Sequence, residues 1–199
     1  MCVVKLRLRS GKDALACELA KLRHTQLSFT DPVLFPERTL QTRVTTTPCN
    51  LLECDLDWFF RYRIFPPWLL RFCGEWQEEN REMRGGDVIA QEARVPPGAV
   101  GLKLLFGVRV LSVYRSANAA GFRYGTLVGH PEMGTNEFCF RVNDNGVVAT
   151  IRTRATMGLL ITRLLEFAVR RYVAFSNRAA LSWMREEFLR HNALPSRDH

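Results

Sequence analysis

Two periodicities divide the chain. From residue 87 apolar and polar side chains alternate in short runs separated by turn residues, the two-residue period of strands with one buried face. "DVIAQEARV" predicts a strand ended by "PPG", and "LKLLFGVRVLSVYR" predicts a longer one, with Gly107 marking a bulge or bend. "SANA" turns the chain, and "GFRYGTL" puts Phe122, Tyr124 and Thr126 on one face and Arg123 and Leu127 on the other. "VGHPEMG" reads as a loop. "EFCFRV" alternates again with Phe138, Phe140 and Val142 on one side, and "NDNG" predicts a hairpin in which Asn145-Gly146 supplies positive φ angles. "VVATIRTR" completes the series. Short turns between successive strands predict an antiparallel sheet.

The tail has the other period. Between Thr156 and about Arg190 there is no proline and Gly158 is the one glycine. Ile161, Leu164, Leu165, Ala168, Tyr172, Phe175, Ala179 and Trp183 recur at helical spacing, and Arg163, Arg170, Arg171, Arg178 and Arg185 decorate the rest. This predicts one amphipathic helix, on the order of 45 Å long, with Thr156 able to cap its start. The chain closes on "NALPSRDH", and 193–199 is expected to fray.

The first half is less regular. Residues 1–25 read as a lead-in, although Leu15, Leu19 and Leu22 share a helical face. "SFTDPVLFPERT" is loop, and "LQTRVTTT" a first strand. In "PCNLLECDLDWFFRYRIFPPW" a stripe of Leu51, Leu52, Asp55, Trp58, Phe59 and Tyr62 predicts a helix stopped by Pro66 and Pro67. Trp58, Phe59, Phe60, Phe65 and Trp68 crowd that span, either packed against a core or lining a cavity. No internal repeat is present. The pattern predicts an α+β domain over 26–192, with a curved antiparallel sheet wrapped on a long C-terminal helix and short helices in the N-terminal half.

Composition changes this picture little. Hydrophobic residues make up 47% of the 199 and charged residues 24%, as in ordinary soluble domains. No stretch reaches the roughly 20 apolar residues of a membrane span, and no secretory pattern opens the chain. Net charge is +8, yet the basic residues are spread without a block, a helix-turn-helix or zinc-finger spacing. Nucleic acid is therefore not the expected partner, and contact with an anionic membrane surface through the arginine-bearing helix stays open. Six cysteines (Cys2, Cys17, Cys49, Cys54, Cys73 and Cys139) include no C-x-x-C pair. They read as free thiols in a cytoplasmic setting, with no metal site.

The run "GFRYGTLVGHPEMG" (121–134) holds His130 before Pro131, with Glu132 two residues on. A histidine beside a carboxylate can transfer protons near neutral pH, and the same pair can pin a loop. No nucleophile motif, phosphate loop or H-E-x-x-H accompanies it, so no cofactor is implied and an enzyme is the lesser expectation. The alternative enzyme would use Tyr124, His130 and Glu132 in acid-base chemistry.

This run resembles the signature of the family called domain of unknown function nineteen-ninety, GFAYGTLxGHPExGEE. The likeness extends from "WFFRYRIFPPW" through "GVRVLSVYR" to the helix ending near Trp183, roughly two thirds of the chain. It departs after Gly134, where Thr135 and Asn136 replace a pair of glutamates. The resemblance implies a Bet v 1-like, START-type helix-grip fold, in which apolar molecules are held between sheet and helix; it carries no activity across.

A straight helix cannot touch a coiled sheet everywhere. The expected function is thus binding of a small apolar or amphipathic molecule in the space between. The candidate ligand-binding residues are Trp58, Phe59 and Trp68 on the aromatic segment, Phe122, Tyr124, His130, Glu132, Phe138 and Phe140 on the sheet and its loop, and Tyr172 on the helix.

Overall fold

The computed structural model describes residues 5–7, 14–95, 102–158 and 166–192. "PPG" and the helix positions Ile161, Arg163, Leu164 and Leu165 lie outside the described residues, as do most of the first thirteen residues and the last seven.

Eight strands form one antiparallel sheet: β1 (Lys5–Arg7), β2 (Glu37–Arg43), β3 (Leu70–Gly74), β4 (Val88–Val95), β5 (Leu102–Arg115), β6 (Ala119–Thr126), β7 (Glu132–Asn143) and β8 (Gly146–Met157). The order is β2-β8-β7-β6-β5-β4-β3, with β1 paired to β5 beside this path. Among the described residues the helices are α1 (Ala14–Leu22), a 3-10 turn at Pro32–Leu34, α2 (Asp57–Phe60), α3 (Glu75–Glu78) and α4 (Glu166–His191).

The strand periodicity from residue 87 onward matches five consecutive strands, β4 to β8, and β5 has the predicted ends. Several details differ. β7 begins at Glu132, so the loop expected over 128–134 shortens and Glu132 becomes a strand residue. The β5 irregularity falls between Val110 and Ser112, not at Gly107, which pairs regularly with Ala90. A Cβ on Gly107 would stand 2.7 Å from the Leu22 side chain, so this glycine makes room for α1. At the β7–β8 hairpin only Gly146 has a positive φ (112°), and the Asn143 side chain accepts the Asn145 N–H at 2.9 Å. An Asx turn closes the hairpin, so Asn145 needs no left-handed backbone.

Thr156 lies in β8 and does not cap the last helix, which is described from Glu166. The expected helix over 51–62 shrinks to the single turn of α2, and Tyr62 beyond it has φ 64°. Its ring is nonetheless buried in the main core. β3 and α3 were not expected from the sequence.

Both sheet faces are covered. On one, Leu15, Leu19 and Leu22 of α1 pack on Val88, Ala90, Leu105 and Leu127. The segment read as a lead-in thus supplies a layer of structure. On the other, the main core gathers Phe59, Tyr62 and Ile64 with Phe122, Phe138, Phe140 and Ile151 of the sheet and Met184 and Phe188 of α4.

α4 is about 39 Å long at 1.5 Å per residue and is packed unevenly. Ala180, Leu181, Met184, Glu187 and Phe188 are buried, whereas no residue from Phe167 to Ala179 is. Its C-terminal end is tied to the α2 region. Asn192 Oδ1 accepts the Asp55 N–H at 2.7 Å, and His191 stacks on Trp58 at 6.1 Å. No helix among the described residues is long and apolar enough to cross a membrane.

Candidate functional site

Strands β4, β6, β7 and β8 turn polar side chains onto the otherwise apolar face beneath α4. Gln91 shares a strand face with Ile89, Tyr124 with Phe122, Asn136 with Phe138, and Thr153 with Ile151. Adjacent strands bring them side by side, since Tyr124 pairs with Asn136 and Asn136 with Thr153. Gln91 Nε2 donates to the Tyr62 hydroxyl at 2.5 Å, and Thr153 Oγ1 donates to Asn136 Oδ1 at 2.5 Å. The Tyr124 hydroxyl lies within hydrogen-bonding reach of Tyr62, Asn136 and Gln91. Burial first, and then the Glu132 carboxylate, push its ionisation well above the ordinary range. Tyr62 is likewise held neutral by burial.

Gln91, Tyr124 and Asn136 of this network line a cavity of about 80 Å³ between the sheet and the loosely packed half of α4. Phe65, Leu69, Phe106, His130 and Glu132 also line it, and Tyr172, Val173, Ser176 and Asn177 of α4 close it. The Tyr172 hydroxyl donates to the Arg94 carbonyl at 2.9 Å and so pins the helix over the opening.

His130 and Glu132 stand at the start of β7. His130 Nδ1 lies 2.9 Å from the Glu132 carbonyl oxygen and 3.0 Å from the Glu132 backbone nitrogen, and the ring packs edge-on against Phe106, centroids 4.6 Å apart. His130 is buried; desolvation lowers its pKa from 6.5 to about 4, against a smaller opposing effect of the Glu132 backbone. The ring is therefore neutral at pH 7. Burial raises Glu132 from 4.5 to about 7, opposed by the charges of Arg38 and Arg170. The site thus offers one carboxyl that exchanges its proton near neutrality, a neutral imidazole, two phenols and three amides.

The two shifts act on stability with opposite signs. Glu132 binds its proton more tightly in the folded chain, so its contribution falls as pH rises from 4.5 through about 7. His130 binds its proton less tightly when folded, so its contribution falls as pH drops from 6.5 through about 4. Between 4.5 and 6.5 the slopes oppose each other. Glu132→Gln is expected to leave unfolding free energies that decline on acidification below pH 6.5. His130→Gln is expected to leave the reverse, a decline as pH rises toward 7. Urea unfolding of both variants across pH 4–8 checks this, and parallel profiles would contradict it.

Of the residues singled out in the sequence, Tyr124, His130, Glu132 and Tyr172 meet at the cavity. Trp58, Phe59, Phe122, Phe138 and Phe140 are buried in the main core and do not line it, although Phe138 packs behind it against Phe65 and Tyr124. Trp68 is 43% exposed, its ring 6.1 Å from that of Phe175. Gln91, Asn136, Ser176 and Asn177 were missed. The signal for the first two was present: a polar residue at a core-facing position of a strand is costly unless it has partners. A larger open depression of about 400 Å³ lies along loop 27–35 against Met133, but its lining gathers one carboxylate, Asp31, and no set of convergent polar groups.

The class these features define is an α+β domain with a curved antiparallel sheet, a helix across one face and a small mixed cavity between them. The chain belongs to the family described as Domain of unknown function (DUF1990), whose profile matches residues 61–185, more than half of the 199 residues. That span includes β3 to β8 and most of α4. No curated protein matches the chain. Among solved structures it is similar to protein Ms6760 from Mycobacterium smegmatis, at 14% identity over 81% of this chain and 95% of that one, with a TM-score of 0.45.

Proposed function

We propose that the protein is a helix-grip module of the Bet v 1/START type that binds a small amphipathic molecule in the cavity beneath the first half of α4. The single observation behind this reading is the cavity itself, whose lining mixes apolar Phe65, Leu69 and Phe106 with polar Gln91, Tyr124, Glu132 and Asn136. A well-packed interior has few voids larger than a water molecule, and a space walled by convergent polar groups beside apolar ones is the usual form of a ligand site.

Size narrows the ligand. Typical pockets for drug-sized molecules occupy roughly 300–1,000 Å³, and this one offers about 80 Å³. The aromatic segment fills the rest of the interior, Phe59 and Tyr62 being fully buried. A long apolar chain does not fit. A molecule of a few heavy atoms fits, with its polar end against Glu132 and Tyr124 and its apolar end against Phe65 and Phe106.

The test is a panel of short-chain amines, amides, alcohols and carboxylic acids, read by ligand-observed NMR and by the melting temperature of the protein. A binder at saturation raises the melting temperature by mass action. Ser176→Leu, which fills the cavity from the helix side, is expected to abolish both signals and leave the fold intact. Binding that persists in Ser176→Leu, or a panel with no binder to the unmodified protein, overturns the reading.

A further inference from the structure

Two thiols meet in the loop before α2, on a part of the molecule separate from the cavity lining. The Sγ atoms of Cys49 and Cys54 are 3.5 Å apart, and both residues are free cysteines. Cys49 is half-buried and Cys54 is buried behind it. The intervening turn holds them there. Asn50 Oδ1 accepts the Leu52 N–H at 3.0 Å, Asn50 Nδ2 donates to Glu53 at 2.8 Å, and the Glu53 N–H donates to the Asn50 carbonyl at 3.0 Å. Arg115 fixes the same turn from the sheet by donating to the Cys54 carbonyl at 2.7 Å, which brings a guanidinium next to the thiol pair.

We propose that Cys49 and Cys54 form a dithiol site that closes to an intramolecular disulfide when the protein meets a hydroperoxide. Cys49, the more accessible thiol, attacks as its thiolate on the peroxide oxygen. A sulfur–oxygen bond forms, the oxygen–oxygen bond breaks, and alkoxide or hydroxide leaves and takes up a proton. Cys49 is then a sulfenic acid, oxidised by two electrons. The Cys54 sulfur attacks the Cys49 sulfur; the sulfur–sulfur bond forms, the sulfur–oxygen bond breaks, and the hydroxyl departs with the Cys54 proton as water. In sum two thiols and one hydroperoxide give one disulfide, one alcohol (water for hydrogen peroxide) and one water.

The order of the steps follows from the electrostatics. Burial pushes the Cys54 thiol up to about 12, and the hydrogen bond and charge of Cys49 add to this, while the charge of Arg115 opposes it. Cys54 is thus a poor first nucleophile. Once Cys49 is a neutral sulfenic acid, the contribution of its charge is gone and that of Arg115 remains. The sulfurs then close from 3.5 Å to the bonded distance of roughly 2.0 Å, a shift within reach of side-chain rotation in a six-residue loop.

The experiment uses the reduced, full-length protein. It is treated with hydrogen peroxide, alkylated, digested with trypsin and analysed by mass spectrometry. Cleavage after Arg43 and Arg61 places both cysteines in one peptide, 44–61. The expected product is that peptide lighter by two hydrogens and refractory to alkylation until it is reduced. In Cys54→Ser, checked for folding by circular dichroism, Cys49 is expected to run on to sulfinic acid at least about tenfold more than in the unmodified protein, because the resolving thiol is gone. The proposal is overturned if peptide 44–61 of the unmodified protein stays fully alkylatable after the exposed Cys17 is oxidised, or if Cys49 pairs with another cysteine. It is also overturned if Cys49 reaches sulfinic acid equally in both proteins.

Discussion

Phe59→Ala is expected to lower the unfolding free energy by about 3–5 kcal/mol, the usual cost of removing a fully buried phenylalanine ring. Phe59 is fully buried and stands at the meeting point of three parts of the fold. Its ring lies 5.1 Å from Phe122 on β6, 5.1 Å from Phe140 on β7, 5.2 Å from Phe60 and 5.8 Å from Trp58. Phe140 in turn touches Phe188 of α4 at 5.0 Å. Deleting the ring leaves a void between the sheet, α2 and the anchored half of the last helix, and a cluster of interlocked aromatics cannot collapse to fill it. Phe59→Leu keeps most of the volume and is expected to cost less than half as much. Urea denaturation of the two variants measures the difference, and a loss below about 1 kcal/mol for Phe59→Ala would show that this cluster does not hold the layers together.

Gly134→Ala is expected to cost at least about 2 kcal/mol and to disturb the cavity as well, through backbone strain and overpacking together. Gly134 has φ 148°, and a Cβ built on it would lie 2.0 Å from the Arg154 carbonyl oxygen on β8. That contact is with backbone, so no side-chain rotation relieves it; β7 must move off β8. The Gly134 N–H donates to Thr126 Oγ1 at 2.8 Å, and Thr126 Oγ1 donates back to the Gly134 carbonyl at 3.1 Å. Movement of β7 therefore also breaks its bonds to β6, two residues from Glu132 and from Asn136. The variant is expected to lose the proton-linked stability profile of Glu132 along with its stability. Gly85→Ala serves as the control, since a Cβ there would meet the Leu111 carbonyl oxygen at an ordinary 3.4 Å. Equal stability of the two alanine variants would refute the argument.

Most strands after residue 87 were legible because one face is more deeply buried and the sequence alternates, whereas β4, buried on both faces over 88–93, was legible from its β-branched composition and the turn residues that follow it. The helix over 51–62 was misjudged for a related reason. Leu51, Trp58, Phe59 and Tyr62 do face the core, but only 57–60 is helical. Four buried residues at nearly helical spacing are compatible with a chain of tight turns when the aromatics are anchored by the sheet and by α4 rather than by one another. β3 carries no alternation, all its residues but Gly74 being half-buried, so its sequence has no strand period to detect. The bend assigned to Gly107 failed because a glycine looks the same in sequence whether the backbone turns or a neighbouring helix needs the space.

By itself the sequence determined the strand series, the amphipathic tail and the run from Gly121 to Gly134 that carries Tyr124, His130 and Glu132 to one end of the sheet. These depend on local preference and on periodic burial, and both are written in consecutive residues. Tertiary structure alone decided that Gln91, Asn136, Ser176 and Asn177 join them, that Phe65 of the aromatic segment lines the cavity while Trp58 and Phe59 fill the core, and that α4 is buried along one half only. Those outcomes depend on which strands become neighbours and how far a straight helix stands from a curved sheet, and such distances are set by contacts between residues far apart in the chain.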